Sequence, residues 1–273
     1  MDDTIRKYKE DGYVILKGII DDSQINDLKD YIKTLKIGLK VPYSDEAWGY
    51  GNCLNLERFE VITNNSKMLS ALSELLSSGY IFNHLMVNRK PPWIGPEVEY
   101  HQEVFNSRTF APGASVDDLV NNWRQVYIAL DSETCSNGGL RIITKSHLLG
   151  KLESEDMVNQ NYSHKRRVPV KILNDIDKKS EHHLIDLDLQ AGDCLIFSPL
   201  LVHGSPSNGT SSERMSIVMQ ARRDNFTPNE SIFKSETEYR NSFLMQSLRQ
   251  NIKKIEGIGE NRYSFFKKNN QEE

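Results

Sequence analysis

Two histidines and one acidic residue are the strongest candidates for chemistry in this sequence. His101 and Glu103 are separated by one residue, and successive side chains alternate along a β-strand, so a strand would place both on the same face. A second imidazole from a distant strand would complete a set of two histidines and one carboxylate. Such a set binds non-haem Fe(II) and leaves coordination positions open for a co-substrate and O2. We therefore take His101, Glu103 and His203 as candidate metal ligands and catalytic residues.

The pair of His101 and Glu103 has little weight alone. With 38 acidic residues among 273 and seven histidines, about one histidine followed at the second position by an acid is expected by chance, and the sequence has one. A solvated or capped His101 therefore remains an alternative. The case depends more on His203, which ends an apolar stretch before a Gly-Ser-Pro turn, and on Arg214, which begins the next apolar stretch.

Arg214 has a physical task in such a site. A dicarboxylate that binds iron through one end leaves its other carboxylate inside an apolar barrel, where a planar guanidinium can neutralise it with two hydrogen bonds. A surface position on a strand is the alternative for Arg214 taken by itself.

The elements that would position these residues are mainly short strands. Strand-like runs bounded by turn residues predict a sandwich or barrel. They cover residues 82–87, 126–130, 140–143, 184–189, 194–197, 201–203 and 215–221. A strand is also predicted at 12–16, and apolar spacing predicts helices at about 21–36, 66–76 and 236–255. We expect a single domain over residues 1–273, with a supporting segment at about 1–79, a core at about 80–223 and a C-terminal helical segment at about 224–273.

Composition limits the classes of partner. The formal net charge of -4 and the hydrophobic fraction of 38% favour a globular protein with a small-molecule substrate and give no reason to expect nucleic-acid or membrane binding. Cys53, Cys135 and Cys194 are far apart and odd in number, which is typical of free thiols in a reducing compartment. No signal peptide or long apolar run is found, so we expect a cytoplasmic protein. The oligomeric state is left open.

The motifs resemble the phytanoyl-CoA dioxygenase family of iron(II)/2-oxoglutarate oxygenases over most of the chain. The segments that carry the resemblance are Tyr8-Lys9-Glu10-Asp11-Gly12-Tyr13-Val14-Ile15-Leu16-Lys17-Gly18, His101-Gln102-Glu103, Asn137-Gly138-Gly139-Leu140-Arg141-Ile142-Ile143 before Lys145-Ser146-His147, Ala191-Gly192-Asp193, and His203 with Arg214. The resemblance implies a mainly β fold with flanking helices, built on a double-stranded β-helix, or jelly-roll.

The resemblance also implies roles for individual residues. His101, Glu103 and His203 would bind iron, Arg214 would bind the distal carboxylate of 2-oxoglutarate, and Ser205 and Tyr127 would line the same pocket. His147 would be structural. The family usually has Asp where this chain has Glu103. Halogenating relatives have a small residue there, so Glu103 argues against halogenation.

The implied reaction is hydroxylation of an unactivated C–H bond in a small polar metabolite, with O2 and 2-oxoglutarate as co-substrates and succinate and CO2 as products. Trp48, Phe105, Arg108 and Arg222 are candidate substrate residues, and an inward-facing Arg222 would favour an anionic substrate. For each of them a packing or solvated role is the alternative. The alternative function is a cupin-like metal-dependent isomerase or lyase, or a non-catalytic ligand-binding protein. Arg214 separates the two, because a cupin that does not use 2-oxoglutarate has no need of it.

Overall fold

The structure is a computed structural model that describes residues 3–35, 40–42, 48–50, 53, 56–77, 79–93, 95, 97–106, 114–157 and 166–223. The helices in these ranges are α1 (Asp3–Asp11), α2 (Asp22–Thr34), α3 (Glu60–Thr63), α4 (Ser66–Leu76), α5 (Val116–Asn122) and α6 (Val170–Asp177). The strands are β1 (Tyr13–Leu16), β2 (Lys40–Pro42), β3 (Trp48–Tyr50), β4 (Tyr80–Lys90), β5 (Val98–His101), β6 (Trp123–Ala129), β7 (Arg141–Ile143), β8 (Glu155–Asp156), β9 (Arg166–Arg167), β10 (Leu184–Asp186), β11 (Cys194–Phe197), β12 (His203–Ser205) and β13 (Arg214–Arg223).

Two antiparallel sheets form the centre of the molecule. The larger sheet has the order β1-β11-β6-β13-β4-β3-β2, and the smaller one has the order β10-β7-β12-β5. One apolar core contains side chains of both sheets, among them Ile142 of the smaller sheet and Leu195 and Phe197 of the larger one. The two sheets therefore face each other, as the jelly-roll prediction requires.

Alternation along the strands assigns each face of the larger sheet. Met215, Ile217 and Met219 of β13 pack in a core that also contains residues of α2 and α4. Since side chains alternate, Arg214 and every second residue after it face the smaller sheet. Tyr127 packs in the inter-sheet core and therefore lies on the inner face of β6.

The helices of the N-terminal segment are fixed by their caps and by one apolar face. The Asp21 side chain accepts from the backbone N–H of Gln24, and the Gln24 side chain accepts from the backbone N–H of Asp21, which is a complete capping box for α2. The buried residues of α2, namely Ile25, Leu28 and Ile32, recur at helical spacing. Both α2 and α4 thereby cover the outer face of the larger sheet.

A buried arginine joins the helices to the strands. Arg124 of β6 donates from Nη1 to the carbonyl oxygens of Val120 at 2.7 Å and Trp123 at 2.6 Å, and from Nη2 to that of Leu75 at 2.8 Å. Its guanidinium carbon also lies 4.9 Å from the ring centroid of Tyr8 in α1. Arg124 thus binds carbonyls near the C-terminal ends of α4 and α5, where a cation is favoured.

Most of the predicted elements are confirmed. The fold class, the strand at the start of the chain and helix Ser66–Leu76 agree with the sequence analysis, as does strand Cys194–Phe197. The cysteines Cys53, Cys135 and Cys194 are free. No helix in the described ranges is long and apolar enough to cross a membrane. The predicted C-terminal helix lies outside the described residues, and the single-domain organisation stays a prediction.

Three local predictions were wrong or incomplete. The strand expected at residues 201–203 begins at His203 instead of ending there. Helices α3, α5 and α6 and strands β2, β3, β8 and β9 were not predicted. The segment assigned to support also contributes a core strand, because β1 pairs with β11 from Tyr13↔Phe197 to Leu16↔Cys194. The apolar run of β1 predicts a strand, but the sequence does not show which strand it pairs with.

Gly192 closes the corner between β1 and β11. Its φ is +87°, and a Cβ at this position would lie 2.3 Å from the carbonyl oxygen of Ile20. The next residue, Asp193, is buried and accepts from the Gly18 N–H at 3.0 Å and from Lys17 Nζ at 2.7 Å. The Ala-Gly-Asp motif is therefore a structural corner.

We predict that Gly192→Ala lowers the free energy of unfolding by about 3 kcal/mol or more, because backbone strain and a clash with backbone atoms add together. Gly18→Ala is the matched control, since Gly18 has a φ of +55° but open space around the missing side chain. Strain alone should cost about 1 kcal/mol there. Chemical denaturation of both variants measures the difference, and equal losses would contradict the steric explanation.

Candidate metal centre

The two histidines are brought together by strand pairing. β12 pairs with β5 so that His203 is opposite His101, and it pairs with β7 on its other side. The imidazole ring centroids are 4.3 Å apart, and both residues are buried. On the side of the larger sheet, the Phe197 ring centroid lies 4.8 Å from that of His203. The prediction that a distant strand delivers the second imidazole thus describes the observed geometry.

Backbone carbonyls orient both imidazoles. His101 Nδ1 lies 2.8 Å from the carbonyl oxygen of Glu99, and His203 Nδ1 lies 2.9 Å from that of Leu201. A carbonyl oxygen can only accept, so Nδ1 carries the proton in each ring and Nε2 is the nitrogen that offers a lone pair. Burial and, to a smaller extent, the neighbouring His101 lower the pKa of His203, although Glu103 opposes this shift. A neutral imidazole is the form that binds a metal.

Glu103 reaches the same place by a different route from the predicted one. β5 ends at His101, and Glu103 is the first residue of a 3-10 helix, Glu103–Asn106. The strand alternation used to predict the pair is therefore wrong, although the carboxylate still meets the imidazoles. Glu103 Oε1 lies 3.8 Å from His101 Nε2 and 3.3 Å from His203 Nε2.

The three side chains have the composition and spacing of a metal site. Their ligand atoms all lie within 4.8 Å of one another. Two ligands at about 2.1 Å from one ion and at right angles to each other are about 3.0 Å apart, and the separations of 3.3 and 3.8 Å from Glu103 Oε1 to the imidazole nitrogens exceed this by less than about 1 Å. Two imidazoles and one carboxylate form the donor set of non-haem Fe(II) oxygenases, so the residues fit this metal.

Gln102, which the sequence analysis did not select, fixes the turn between the two ligands. Its side chain is completely buried, and Nε2 donates to the carbonyl oxygens of Gly150 at 2.9 Å and Leu200 at 2.7 Å. Its Oε1 accepts from the N–H of Leu152 at 2.9 Å. The Gln102 amide therefore joins the residue between His101 and Glu103 to residues 150–152 and to Leu200. The sequence contains no signal for this role, because strand alternation would place Gln102 on the face opposite His101 and Glu103.

A group of buried polar side chains lies on the inner face of the larger sheet. Arg214 Nη1 donates to Glu133 Oε1 at 3.0 Å and to Ser216 Oγ at 3.2 Å, and it also contacts the Tyr127 hydroxyl. The Tyr127 hydroxyl donates to Glu133 Oε1 at 2.5 Å. Burial, partly offset by Arg214, raises the pKa of Tyr127 well above its ordinary value, so the hydroxyl keeps its proton.

Lys90 extends this group toward Ser205. It is directly opposite Arg214 in the pairing of β4 with β13, and Nζ donates to Ser205 Oγ at 2.7 Å and to the carbonyl oxygen of Pro206. Burial, with a smaller effect of Arg214, lowers the pKa of Lys90 well below its ordinary value. The three predicted co-substrate residues, Arg214, Ser205 and Tyr127, are therefore brought together, with Lys90 connecting Ser205 to the others.

Lys90 and Glu133 were missed for different reasons. Lys90 ends a long strand just before two prolines, and a charged residue there is typical of a solvated strand end. Glu133 lies in a polar loop after β6, where an acid is normally exposed. Only the three-dimensional structure shows that their exposed fractions are 2% and 1%.

The predicted substrate residues have different outcomes. Phe105 is half-buried and packs against two apolar clusters, one of which contains Trp123 and Leu200. Arg222 is buried, and in the pairing of β13 with β6 it is opposite Trp123. Arg108 and the side chain of Trp48 lie outside the described residues.

The two facing antiparallel sheets, with two histidines and a carboxylate between them, place the molecule in the class of jelly-roll proteins with a metal-binding interior. A family model described as phytanoyl-CoA dioxygenase (PhyH) matches residues 8–216. The chain therefore belongs to the phytanoyl-CoA dioxygenase family.

Individual relatives are distant. "Dioxygenase ALT11" of Alternaria alternata is 25% identical over 252 residues, which cover 84% of this chain and 74% of the relative. Among solved structures, the epimerase SnoN in complex with Fe3+, alpha ketoglutarate and nogalamycin RO has a TM-score of 0.64 at 17% identity, with 82% of this chain and 85% of SnoN covered. EctD from S. alaskensis with 2-oxoglutarate and 5-hydroxyectoine has a TM-score of 0.64 at 15% identity, with coverages of 82% and 76%. These similarities support the fold.

We predict that Gln102→Leu weakens iron(II) binding by about 10- to 100-fold and lowers the free energy of unfolding by about 2–4 kcal/mol, because three buried backbone groups lose their partner. Anaerobic iron(II) titration and chemical denaturation measure the two effects. Gln125→Leu replaces another buried amide, on β6, and should leave iron affinity unchanged. Wild-type iron affinity in Gln102→Leu would show that the turn does not depend on this amide.

Proposed function

We propose that this protein is an Fe(II)/2-oxoglutarate-dependent dioxygenase that hydroxylates an unactivated C–H bond of a small polar metabolite. The observation that carries the proposal is the meeting of His101, Glu103 and His203 at one point between the sheets, facing a buried Arg214 on the opposite sheet. Membership of the phytanoyl-CoA dioxygenase family supports it. SnoN and EctD, which share the fold, have structures with alpha ketoglutarate or 2-oxoglutarate bound.

His101, Glu103 and His203 would hold the iron. When bound, iron(II) supplies the redox chemistry that couples O2 reduction to decarboxylation of 2-oxoglutarate and oxidation of the substrate. The protein's own contribution is orientation: Glu99 and Leu201 fix the imidazoles through their carbonyls. An iron held by these three side chains would keep further coordination positions for the co-substrate and O2.

The polar group on the larger sheet would bind the co-substrate. Arg214 can pair with the distal carboxylate, and Lys90, Ser205 and Tyr127 lie around the same place. Burial of the Arg214 guanidinium is costly even beside Glu133, and an anionic ligand between the sheets would account for its position. This observation favours an oxygenase over a cupin-like isomerase, lyase or ligand-binding protein.

The inner wall beyond Tyr127 suggests the substrate class. Gln125 is 1% exposed, and its Oε1 has no hydrogen-bond partner within the described part of the chain. It is paired with Phe197 on one side and Gln220 on the other, so it lies one strand from the ring that contacts His203. Arg222 lies two residues after Gln220 on β13. A wall with Gln125 Oε1 and Arg222 suits a molecule that carries both an N–H or O–H donor and an anionic group.

Hydroxylation and epimerisation are two variants of the reaction that product analysis can separate. SnoN is described as an epimerase, whereas EctD is described in complex with a hydroxylated molecule, 5-hydroxyectoine. Both outcomes begin by removing hydrogen from a C–H bond. Product mass distinguishes them, because hydroxylation adds one oxygen atom and epimerisation adds none.

Binding of iron and co-substrate tests the proposal without knowledge of the substrate. Under anaerobic conditions, the iron(II)-loaded protein should develop the visible charge-transfer band of the 2-oxoglutarate chelate. Arg214→Gln should raise the 2-oxoglutarate midpoint by about 100-fold, because a charged pair with a buried carboxylate is lost, while iron stays bound. Glu103→Ala should reduce iron content and abolish the band.

Arg89→Gln is the control for Arg214→Gln. Arg89→Gln changes an arginine that is adjacent to Lys90 and pairs with Glu213 instead, so the band and its midpoint should be unchanged. Absence of the band in iron-loaded wild-type protein would favour the cupin-like alternative. Full iron content and turnover in Glu103→Ala would show that this carboxylate is not a ligand.

We predict that Arg222→Met raises the KM for an anionic substrate by about 10- to 100-fold, while the 2-oxoglutarate midpoint stays at the wild-type value. Succinate release from a panel of amino acids, sugar acids and phosphonates measures the first quantity, and the charge-transfer band measures the second. Equal KM values for an anionic substrate in the two proteins would remove Arg222 from the substrate site.

A further inference from the structure

The polar group that faces the metal site contains a carboxylate, Glu133, beside the side chains of Arg214 and Lys90. Glu133 is 1% exposed, and its Oε1 accepts from Arg214 Nη1 at 3.0 Å and from the Tyr127 hydroxyl at 2.5 Å. Its Oε2 accepts from the backbone N–H of Leu140 at 3.1 Å. Both oxygens are therefore held, and the negative charge is fixed against the guanidinium that would receive the co-substrate.

The position of Glu133 has an electrostatic consequence for that co-substrate. A dicarboxylate brings a second negative charge to the same guanidinium, and two carboxylates that share one buried site repel each other. The repulsion is strong in a water-poor interior, where the effective dielectric constant is low.

We infer that Glu133 competes with the distal carboxylate of 2-oxoglutarate for Arg214. Glu133 thereby stabilises the co-substrate-free protein and weakens co-substrate binding. This inference rests on the proposed function and adds to it a residue that sets co-substrate affinity. Glu133 acts through Arg214, and is therefore a positioning and charge-compensating residue.

The two effects of Glu133 have opposite signs, which makes the inference testable. Glu133→Gln keeps the size of the side chain and removes its charge. Without ligand, the variant should be less stable than wild type, because a buried guanidinium loses its counter-ion. With ligand, the incoming carboxylate supplies that counter-ion without opposition. If Glu133 were purely structural, Glu133→Gln would lower the stability of the protein and leave co-substrate binding unchanged or weaker.

The experiment is an anaerobic titration of iron(II)-loaded protein with 2-oxoglutarate, combined with thermal unfolding at zero and saturating co-substrate. For Glu133→Gln, the midpoint of the chelate band should fall about tenfold, and the rise in Tm on adding 2-oxoglutarate should exceed that of wild type. Glu213→Gln is the matched control. Glu213 is adjacent to Arg214 in sequence but pairs with Arg89, so its loss should leave the midpoint unchanged.

The outcomes separate this inference from the proposed function. A wild-type band together with an equal or higher midpoint in Glu133→Gln overturns the inference alone. Absence of the band in both proteins, with iron bound, overturns the proposed function and the inference together. Should Glu133→Gln not fold, Glu133→Asp keeps the charge but withdraws it by one methylene. Its midpoint should fall by a smaller factor, and a wild-type midpoint there overturns the inference.

Discussion

The pairing of His203 with His101 across β12 and β5 is the constraint on which the site depends. Side chains alternate along a strand, so a shift of one residue would turn His203 away from the interior and leave the other ligands without it. β12 has only three residues, but it is held from both sides, by β5 and by β7. The register changes between His203 and Ser205, and a Cβ on Gly204 would lie 2.8 Å from the carbonyl oxygen of Val98. Close packing at Gly204 thus keeps the strand in place.

The interior between the sheets divides its polar residues by task. Beside the smaller sheet, two imidazoles and a carboxylate converge, and on the inner side of the larger sheet Glu133 compensates the charge of Arg214, with Lys90 next to them. Water-poor surroundings strengthen each of these interactions and penalise any charge that has no counterpart. The side of the site that would bind metal is held by backbone carbonyls, and the side proposed to bind co-substrate is held by charge. The two can therefore be altered separately.

Local patterns in the sequence were sufficient to predict most of the elements around the site. Short apolar runs bounded by turn residues identified most strands of the larger sheet, and helical spacing identified α4 at its observed bounds. The three candidate ligands were selected from His203, Arg214 and the resemblance to a known family, because the His101/Glu103 pair alone is expected by chance, and the structure brings all three side chains together. The role of Glu103 was reached through a strand that ends two residues earlier, because local patterns do not show where a strand passes into a 3-10 turn. Glu133 and Lys90 have no local signal, since a charged residue in a loop or at a strand end is normally solvated. Their importance arises from burial, which only the folded arrangement determines.

The contact between Tyr8 and Arg124 links helix α1 to the strand that carries Tyr127. Arg124 holds the last turns of α4 and the end of α5 through three carbonyl oxygens, and the Tyr8 ring covers its guanidinium. Removing α1 would admit water to a cation placed to bind these carbonyls, on the strand that also carries Tyr127. A shortened protein that begins at β1 would keep every proposed ligand in its sequence, and yet the wall that carries Tyr127 and Gln125 would lose its outer support.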